Sequence, residues 1–277
     1  MQQWLLINKK ADFKVIGEKF QIDQVTARII RNREVIEAED IRIFLQGDVN
    51  DLHDPHLLKD GERLVTILAE KIRKKKAIRI IGDYDIDGVM ATYVLVTGLR
   101  RCGAKVSIQI PDRIHDGYGL NRQLIEKAKA DGVDTIVTCD NGIAALQEIA
   151  YAKELGMTVL VTDHHAVPYE DVDGVRVYKS SAADVIVNPH QADCPYPFKE
   201  LCGAAVAWKV ICLLYEAYGI SQEEADVFLE NVGFATIGDV MPLKGENRIL
   251  VKEGLKRIHK TKNPGMRALI AQCELSP

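Results

Sequence analysis

Five short runs of β-branched and apolar residues, at 77–81, 105–110, 135–139, 158–161 and 185–187, punctuate one continuous stretch of the chain. The segments between most of them carry helical periodicity; the one before the first run, 62–76, sets Leu64, Val65, Leu68 and Ile72 on a shared face. Helices are also expected over 88–101, over 121–130 behind an Asn121 cap, and over 143–155 closed by Gly156. Repeated strand–helix units leave little choice of architecture. Each crossover returns the chain to the same end of the sheet, so the strands pair in parallel and helices cover both faces. The fold class is therefore α/β, a parallel β-sheet with helices on both faces, and ligands in such sheets bind outside the carboxyl ends of the strands.

This α/β region, residues 61–200, is flanked by two helical ones. Residues 1–60 read as a helical N-terminal segment, with one helix over 20–36, another starting at Ala38, and polar turns at 48–51 and 53–55. Residues 201–277 read as helices over 201–218, 222–237 and 248–258, with a further start at Asn263-Pro264. At 277 residues, 47% hydrophobic and 27% charged, the chain is long enough for one large α/β domain with an appendage. No apolar run reaches the about 18 residues of a membrane span, and Met1–Leu6 lacks the marks of a signal peptide. Six cysteines without a CxxC pair fit reduced thiols and a cytoplasmic location, and argue against a structural zinc site. The net charge of −4 does not advertise nucleic-acid binding. Local basic clusters (Lys71, Arg73–Lys76 and Arg79; Arg100, Arg101 and Lys105; Lys256–Lys262) fit solvated helix ends as well as a phosphate track.

Chemistry concentrates where strands end. After the first run comes Asp83-Tyr84-Asp85-Ile86-Asp87-Gly88, three acids on alternate positions. This also matches the front of an EF-hand loop, but Val94 stands where the closing glutamate belongs and a strand precedes it. Helix capping accounts for one acid, for which Asp87 is the candidate, and not for three. Asp140-Asn141-Gly142 repeats the pattern after the third run, although Asp140 taken alone is as readily a turn residue. Asp163-His164-His165 follows the fourth. On an extended segment its two imidazoles point in opposite directions, one toward a metal and one toward a phosphate oxygen or leaving group; two solvated histidines are the plain alternative. Asp239 interrupts an apolar stretch, a costly placement unless the acid is paired, and a satisfied structural acid explains it equally well. Small residues at 202–205 present backbone N–H groups to an anion or serve a close helix contact. Carboxylates and imidazoles gathered at strand ends imply a divalent cation, and this donor set suits Mn²⁺ and also Mg²⁺. An enzyme of phosphate chemistry is the leading expectation.

These motifs, in this order, resemble those of the DHH phosphoesterases. The strings at 54–60, 116–120, 187–190, 196–203 and 238–243 resemble the RecJ branch, single-strand-specific 5′→3′ DNA exonucleases. The resemblance implies two cations, Mn²⁺ or Mg²⁺, with Asp85, Asp87, Asp140, His164 and Asp239 as ligands, Asp140 bridging, and Asp83 a ligand or its close neighbour. It implies His165 as the group that contacts phosphate or protonates the leaving group, with Asp140 the other catalytic residue. Arg113, His115 and Asn188 become candidates for holding the strand. The implied activity is hydrolysis of single-stranded DNA to 5′-mononucleotides in DNA repair and recombination, beside a single-stranded-DNA-binding protein or a helicase and away from membranes. Two departures stand out. Ile86 replaces the alanine common in the first motif, a mild change if it points into the fold. The chain also stops before the DHH-associated domain and the nucleic-acid-binding barrel of RecJ-type enzymes. The rival readings are a phosphodiesterase of short oligonucleotides or cyclic dinucleotides, a non-catalytic replication scaffold, and an inorganic pyrophosphatase.

Overall fold

The computed structural model describes residues 9–114 and 117–274. Three helices, α1 (Phe13–Phe20), α2 (Gln24–Asn32) and α3 (Ala38–Gln46), precede α4 (Gly61–Arg73). The α/β unit follows as β1 (Ala77–Ile81), α5 (Ile86–Arg101), β2 (Lys105–Gln109), α6 (Arg122–Ala130), β3 (Thr135–Cys139), α7 (Leu146–Glu154) and β4 (Thr158–Thr162). A hairpin, β5 (Tyr169–Val172) and β6 (Val175–Tyr178), then leads to β7 (Val185–Val187). The chain closes with α8 (Gly203–Ala217), α9 (Gln222–Asp226), α10 (Leu229–Gly238), α11 (Gly245–Ile258) and α12 (Pro264–Gln272).

The five expected strands form one parallel sheet in the order β2-β1-β3-β4-β7. Alternation along each strand divides the core between its two faces. Ile78, Ile80, Val137 and Leu160 pack with α4, α5 and α8, whereas Ile136, Val159 and Val161 pack with α6 and α7. The chain leaves β1 toward β2 on one side and returns to β3 on the other, so a crevice opens between the carboxyl ends of β1 and β3. Asn141 bridges that crevice, its side-chain N–H groups reaching the carbonyls of Ile81 (3.1 Å) and Cys139 (2.9 Å). The basic cluster at 71–79 lies at the opposite, amino end of the strands, where Lys71 pairs with Asp134 and Arg79 with Asp131. Arg73 to Lys76 lie at the exposed end of α4, whereas Arg79 is buried in β1 and satisfied by Ser107, Gln109 and Asp131.

Three helical expectations change. The helix expected over 20–36 shortens to α2: α1 ends at Phe20, Gln21 with a φ of 55° is left-handed, and the Asp23 carboxylate starts α2 by accepting the N–H groups of Val25 and Thr26. The helix over 222–237 breaks at 227–228 because the Ala225 carbonyl accepts the Trp208 indole N–H (3.0 Å) and the Phe228 N–H (3.1 Å). The helix expected from 143 starts at Leu146, since the Ile143 N–H donates to Asp163 Oδ2 (2.8 Å). Among the described residues no helix is long and apolar enough to cross a membrane.

One polar network lies inside the otherwise apolar α8. Lys209 Nζ, with its side chain 1% exposed, donates to Glu246 Oε1 (2.9 Å) and to the His53 carbonyl (2.7 Å). Glu246 also accepts from the His53 N–H (2.8 Å) and the Tyr196 hydroxyl (2.6 Å). The network ties the segment before α4 to α8 and to the first turn of α11.

Candidate metal centre

The first acidic run leaves β1 through a turn that only glycine permits. A Cβ on Gly88 would lie 2.6 Å from the backbone of Asp83. That closeness buries Asp83 completely, and neither of its carboxylate oxygens finds a hydrogen bond. Asp85, not Asp87, caps α5, accepting the Gly88 N–H at 2.9 Å. Asp87 reaches across to α8, where its oxygens accept the N–H groups of Gly203 (2.5 Å) and Ala204 (2.7 Å). The anion foreseen for residues 202–205 is thus a carboxylate of the chain itself, held at a helix N-terminus.

Asp140 follows β3 with a φ of 59°, a left-handed conformation that asparagine and aspartate tolerate better than other side chains. Its Oδ1 lies 3.0 Å from His164 Nε2, which is also 3.6 Å from Asp87 Oδ2 and 3.7 Å from Asp239 Oδ2. Proximity here is not bonding, because neither Asp140 Oδ1 nor His164 Nε2 has a partner in hydrogen-bond geometry. Asp239, at the C-terminal end of α10, completes the group from the far side.

His164 and His165 do not diverge. The chain turns after β4 and Asp163 Oδ1 accepts the N–H of both (2.7 and 3.1 Å), so their ring centroids lie 4.5 Å apart. Asp163 Oδ1 also faces His165 Nδ1 at 2.7 Å, leaving His165 Nε2 beside the Tyr118 hydroxyl (3.2 Å), which donates to the Asp140 carbonyl (3.1 Å). Asp163 and Tyr118 carry no assignment from the sequence, although both stand inside the motifs that resemble the family. Asn188 is wholly buried. Its amide N–H donates to the His165 carbonyl and its Oδ1 accepts the His190 N–H, so it holds this turn. Arg113 sits over the Tyr84 ring at 5.4 Å, at the exposed rim. His115 and Asp116 lie outside the described residues. Ile86 does not point into the fold: it is 43% exposed, packed against Gly238.

Burial pushes the carboxyl pKa values of Asp83, Asp140 and Asp239 above the usual range, with the negative charge of Asp87 adding to the last two. Burial opposes ionisation of Asp163 as well, yet the His165 side chain and the Ile143 and His165 N–H groups hold its pKa low. The bond to Asp163 raises His165 against the opposing effect of burial. So many buried acids call for positive charge among them. The donors fit a divalent cation. Three sets of ligand atoms, Asp83/Asp85/Asp140, Asp87/His164/Asp239 and Asp140/His164/His165, each lie within 4.8 Å of one another. The nearby thiols of Cys139 and Cys202 are buried beside Thr92 and Thr236 with raised pKa values, so oxygen and imidazole remain as ligands.

The backbone of α8 makes this packing possible. A Cβ on Gly203 would lie 2.7 Å from Asp140 Cβ and 2.8 Å from its Oδ1. Gly203→Ala is expected to cost about 1–3 kcal/mol in urea denaturation through overpacking, with Asp140 displaced; a variant as stable as the parent would contradict the tight approach.

The model of the DHH family N-terminal domain matches residues 77–231. A single-stranded-DNA-specific exonuclease RecJ of Bacillus subtilis (strain 168) is 37% identical over 257 residues, 93% of this chain and 31% of that protein. The crystal structure of an exonuclease RecJ bound to manganese superposes with a TM-score of 0.67 at 34% identity, over 78% of this chain and 52% of that one. A RecJ from Thermus thermophilus in complex with Mn²⁺ superposes with a TM-score of 0.73 at 28% identity, over 95% of this chain and 36% of that one. The chain therefore spans about a third to a half of the length of these relatives.

Proposed function

Because this chain belongs to the DHH family, we propose that it carries the catalytic portion of a metal-dependent exonuclease acting on single-stranded DNA in the cytoplasm, in repair and recombination. The observation that carries this reading is a chain of overlapping ligand sets, Asp83/Asp85/Asp140 joined to Asp87/His164/Asp239 through the set in which Asp140 and His164 meet. Asp83, Asp85 and Asp140 would hold one Mn²⁺ or Mg²⁺; Asp87, His164 and Asp239, with Asp140 as bridge, would hold the other. Two such ions supply a hydroxide nucleophile at neutral pH and neutralise charge building on the scissile phosphate. The chain's own groups do the rest. The α8 N-terminus fixes Asp87, and the crevice between β1 and β3 excludes water from Asp83 and Asp140. Asp163 orients His165 so that its Nε2 faces the cleft to bind a phosphate oxygen or protonate the departing alkoxide. Arg113 at the rim is placed to meet the strand. Attack from the 5′ end would release 5′-mononucleotides. Proteins that expose or coat single strands, a helicase or a single-stranded-DNA-binding protein, are the partners beside which such an activity would work.

The test is hydrolysis of 5′-phosphorylated single-stranded DNA with Mn²⁺, against EDTA and Asp140→Ala, with a long strand and a dinucleotide in parallel. Mononucleotides from the long strand, lost in both controls, are expected. Cleavage of the dinucleotide alone would replace this reading with a phosphodiesterase of short oligonucleotides.

A further inference from the structure

We propose that Ile86 and Gly238 form a knob-and-socket contact that sets the separation of Asp87 and Asp239, making the two a positioning pair for one of the two cations. This rests on the metal reading above. Ile86 opens α5 between Asp85 and Asp87; Gly238 closes α10 immediately before Asp239. The two helices pack together, and a Cβ on Gly238 would lie 2.6 Å from Ile86 Cγ2, 3.0 Å from Cδ1 and 3.1 Å from Cβ.

The glycine is not there for its backbone. Gly238 is absent from the positive-φ residues, and within a helix glycine is about 1 kcal/mol worse than alanine. What it supplies is the missing methyl. Nor can Ile86 swing clear of one. Branching at Cβ leaves a carbon facing the socket in two of three staggered rotamers, and Cβ itself does not move with χ1. Even the rotamer that turns hydrogen to the socket leaves Cβ at 3.1 Å, so part of the relief falls on the spacing of the two helices.

That movement falls on one ligand. Asp87 is held by two N–H groups of α8, whereas Asp239 stands at the C-terminal end of α10 with its carboxylate 3.7 Å from His164 Nε2. Both carboxylates stand at similar range from His164 Nε2, 3.6 and 3.7 Å, so a shift of Asp239 changes a convergent set. Metal–ligand distances tolerate about 0.2 Å. In the other set Asp83 and Asp140 follow β1 and β3, Asp85 caps α5 beside Ile86, and none of the three lies on α10.

The test is Mn²⁺ titration of the whole chain by calorimetry or electron paramagnetic resonance, on wild type, Gly238→Ala, Ile86→Ala and Ile86→Ala/Gly238→Ala, with circular dichroism reporting the fold. Gly238→Ala is expected to weaken one of two Mn²⁺ sites about 10–100-fold, the usual loss when a group that orients a ligand is changed, and to spare the other. Removing the knob in the double variant restores the weakened site, which a merely structural defect at Gly238 would not allow. Two intact sites in Gly238→Ala, or a folded double variant that stays weak, would overturn the coupling alone. Wild-type protein that takes up no Mn²⁺ would overturn the metal reading and the coupling with it.

Discussion

Changing Asp140 to asparagine is expected to abolish Mn²⁺-dependent hydrolysis, by at least about a thousand-fold, while raising the melting temperature of the metal-free protein at pH 8. The left-handed backbone at residue 140 suits asparagine as well as aspartate, so the turn is undisturbed. What changes is charge. Asp140, Asp83 and Asp239 have carboxyl pKa values raised in the fold, Asp140 by burial and then by Asp87, Asp85 and Asp163. A raised carboxyl keeps its proton in the folded chain after the unfolded chain has lost it. Its stabilising contribution is therefore present below the unfolded value and drains away as pH rises toward the folded one. His165, raised by Asp163, loses its contribution in the same direction as pH climbs through its folded value. Asp163, lowered, loses its contribution only on acidification through its folded value. In EDTA the protein should thus melt at progressively lower temperature from pH 5.5 to 8, and Asp140→Asn should flatten that slope. Added Mn²⁺ reverses the trend in wild type, because the ion competes with protons and its binding to the folded state alone stabilises by about 2.7 kcal/mol at a hundred times its Kd. A variant that melts below wild type in EDTA at pH 8 would show that the buried charge of Asp140 does not destabilise the metal-free fold.

Much of this centre was legible in the sequence, for a physical reason. A buried parallel strand must be short, β-branched and apolar, so 77–81, 135–139 and 158–161 stand out, and an acid after each falls at the sheet's carboxyl end. Contacts between residues far apart in sequence were not legible. Nothing near Asp87 announces that its carboxylate caps a helix 116 residues away, and nothing near Ile86 announces Gly238. The divergence of His164 and His165 failed because it assumed an extended backbone, whereas Asp163 folds the chain into a turn. The hairpin of β5 and β6 did leave a signal, Asp173-Gly174, whose φ values of 54° and 80° belong to a tight hairpin turn. The strands themselves carry no such signal, because all eight residues are exposed and show no buried alternation. Lys209 was hidden by its surroundings: one cation in an apolar helix, satisfied by a glutamate 37 residues further on.

That lysine carries the second large effect. Lys209→Met is expected to destabilise the fold by about 3–5 kcal/mol, because it leaves the Glu246 carboxylate buried without its cation. At about 2–4 °C per kcal/mol for a chain of this size, the melting temperature should fall by roughly 10 °C. Glu246 keeps the His53 N–H and the Tyr196 hydroxyl, and its place in the first turn of α11 favours a negative charge, so the loss is partly offset. Neutralising the acid should recover stability. In Lys209→Met/Glu246→Gln the amide oxygen can accept from one of these two donors, no buried charge is left unpaired, and most of the lost stability should return. The consequence reaches the metal centre through geometry. The N-terminus of α8 holds Asp87, and α11 packs along α10, which ends at Asp239. The network that fastens α8 to α11 therefore fixes the two supports of one cation site relative to each other. Urea denaturation of the two variants, with Mn²⁺ affinity measured on the double variant, checks both parts. A single variant that loses less than about 1 kcal/mol, within the range of an exposed ion pair, would mean that water reaches Glu246 and that the network is not sealed.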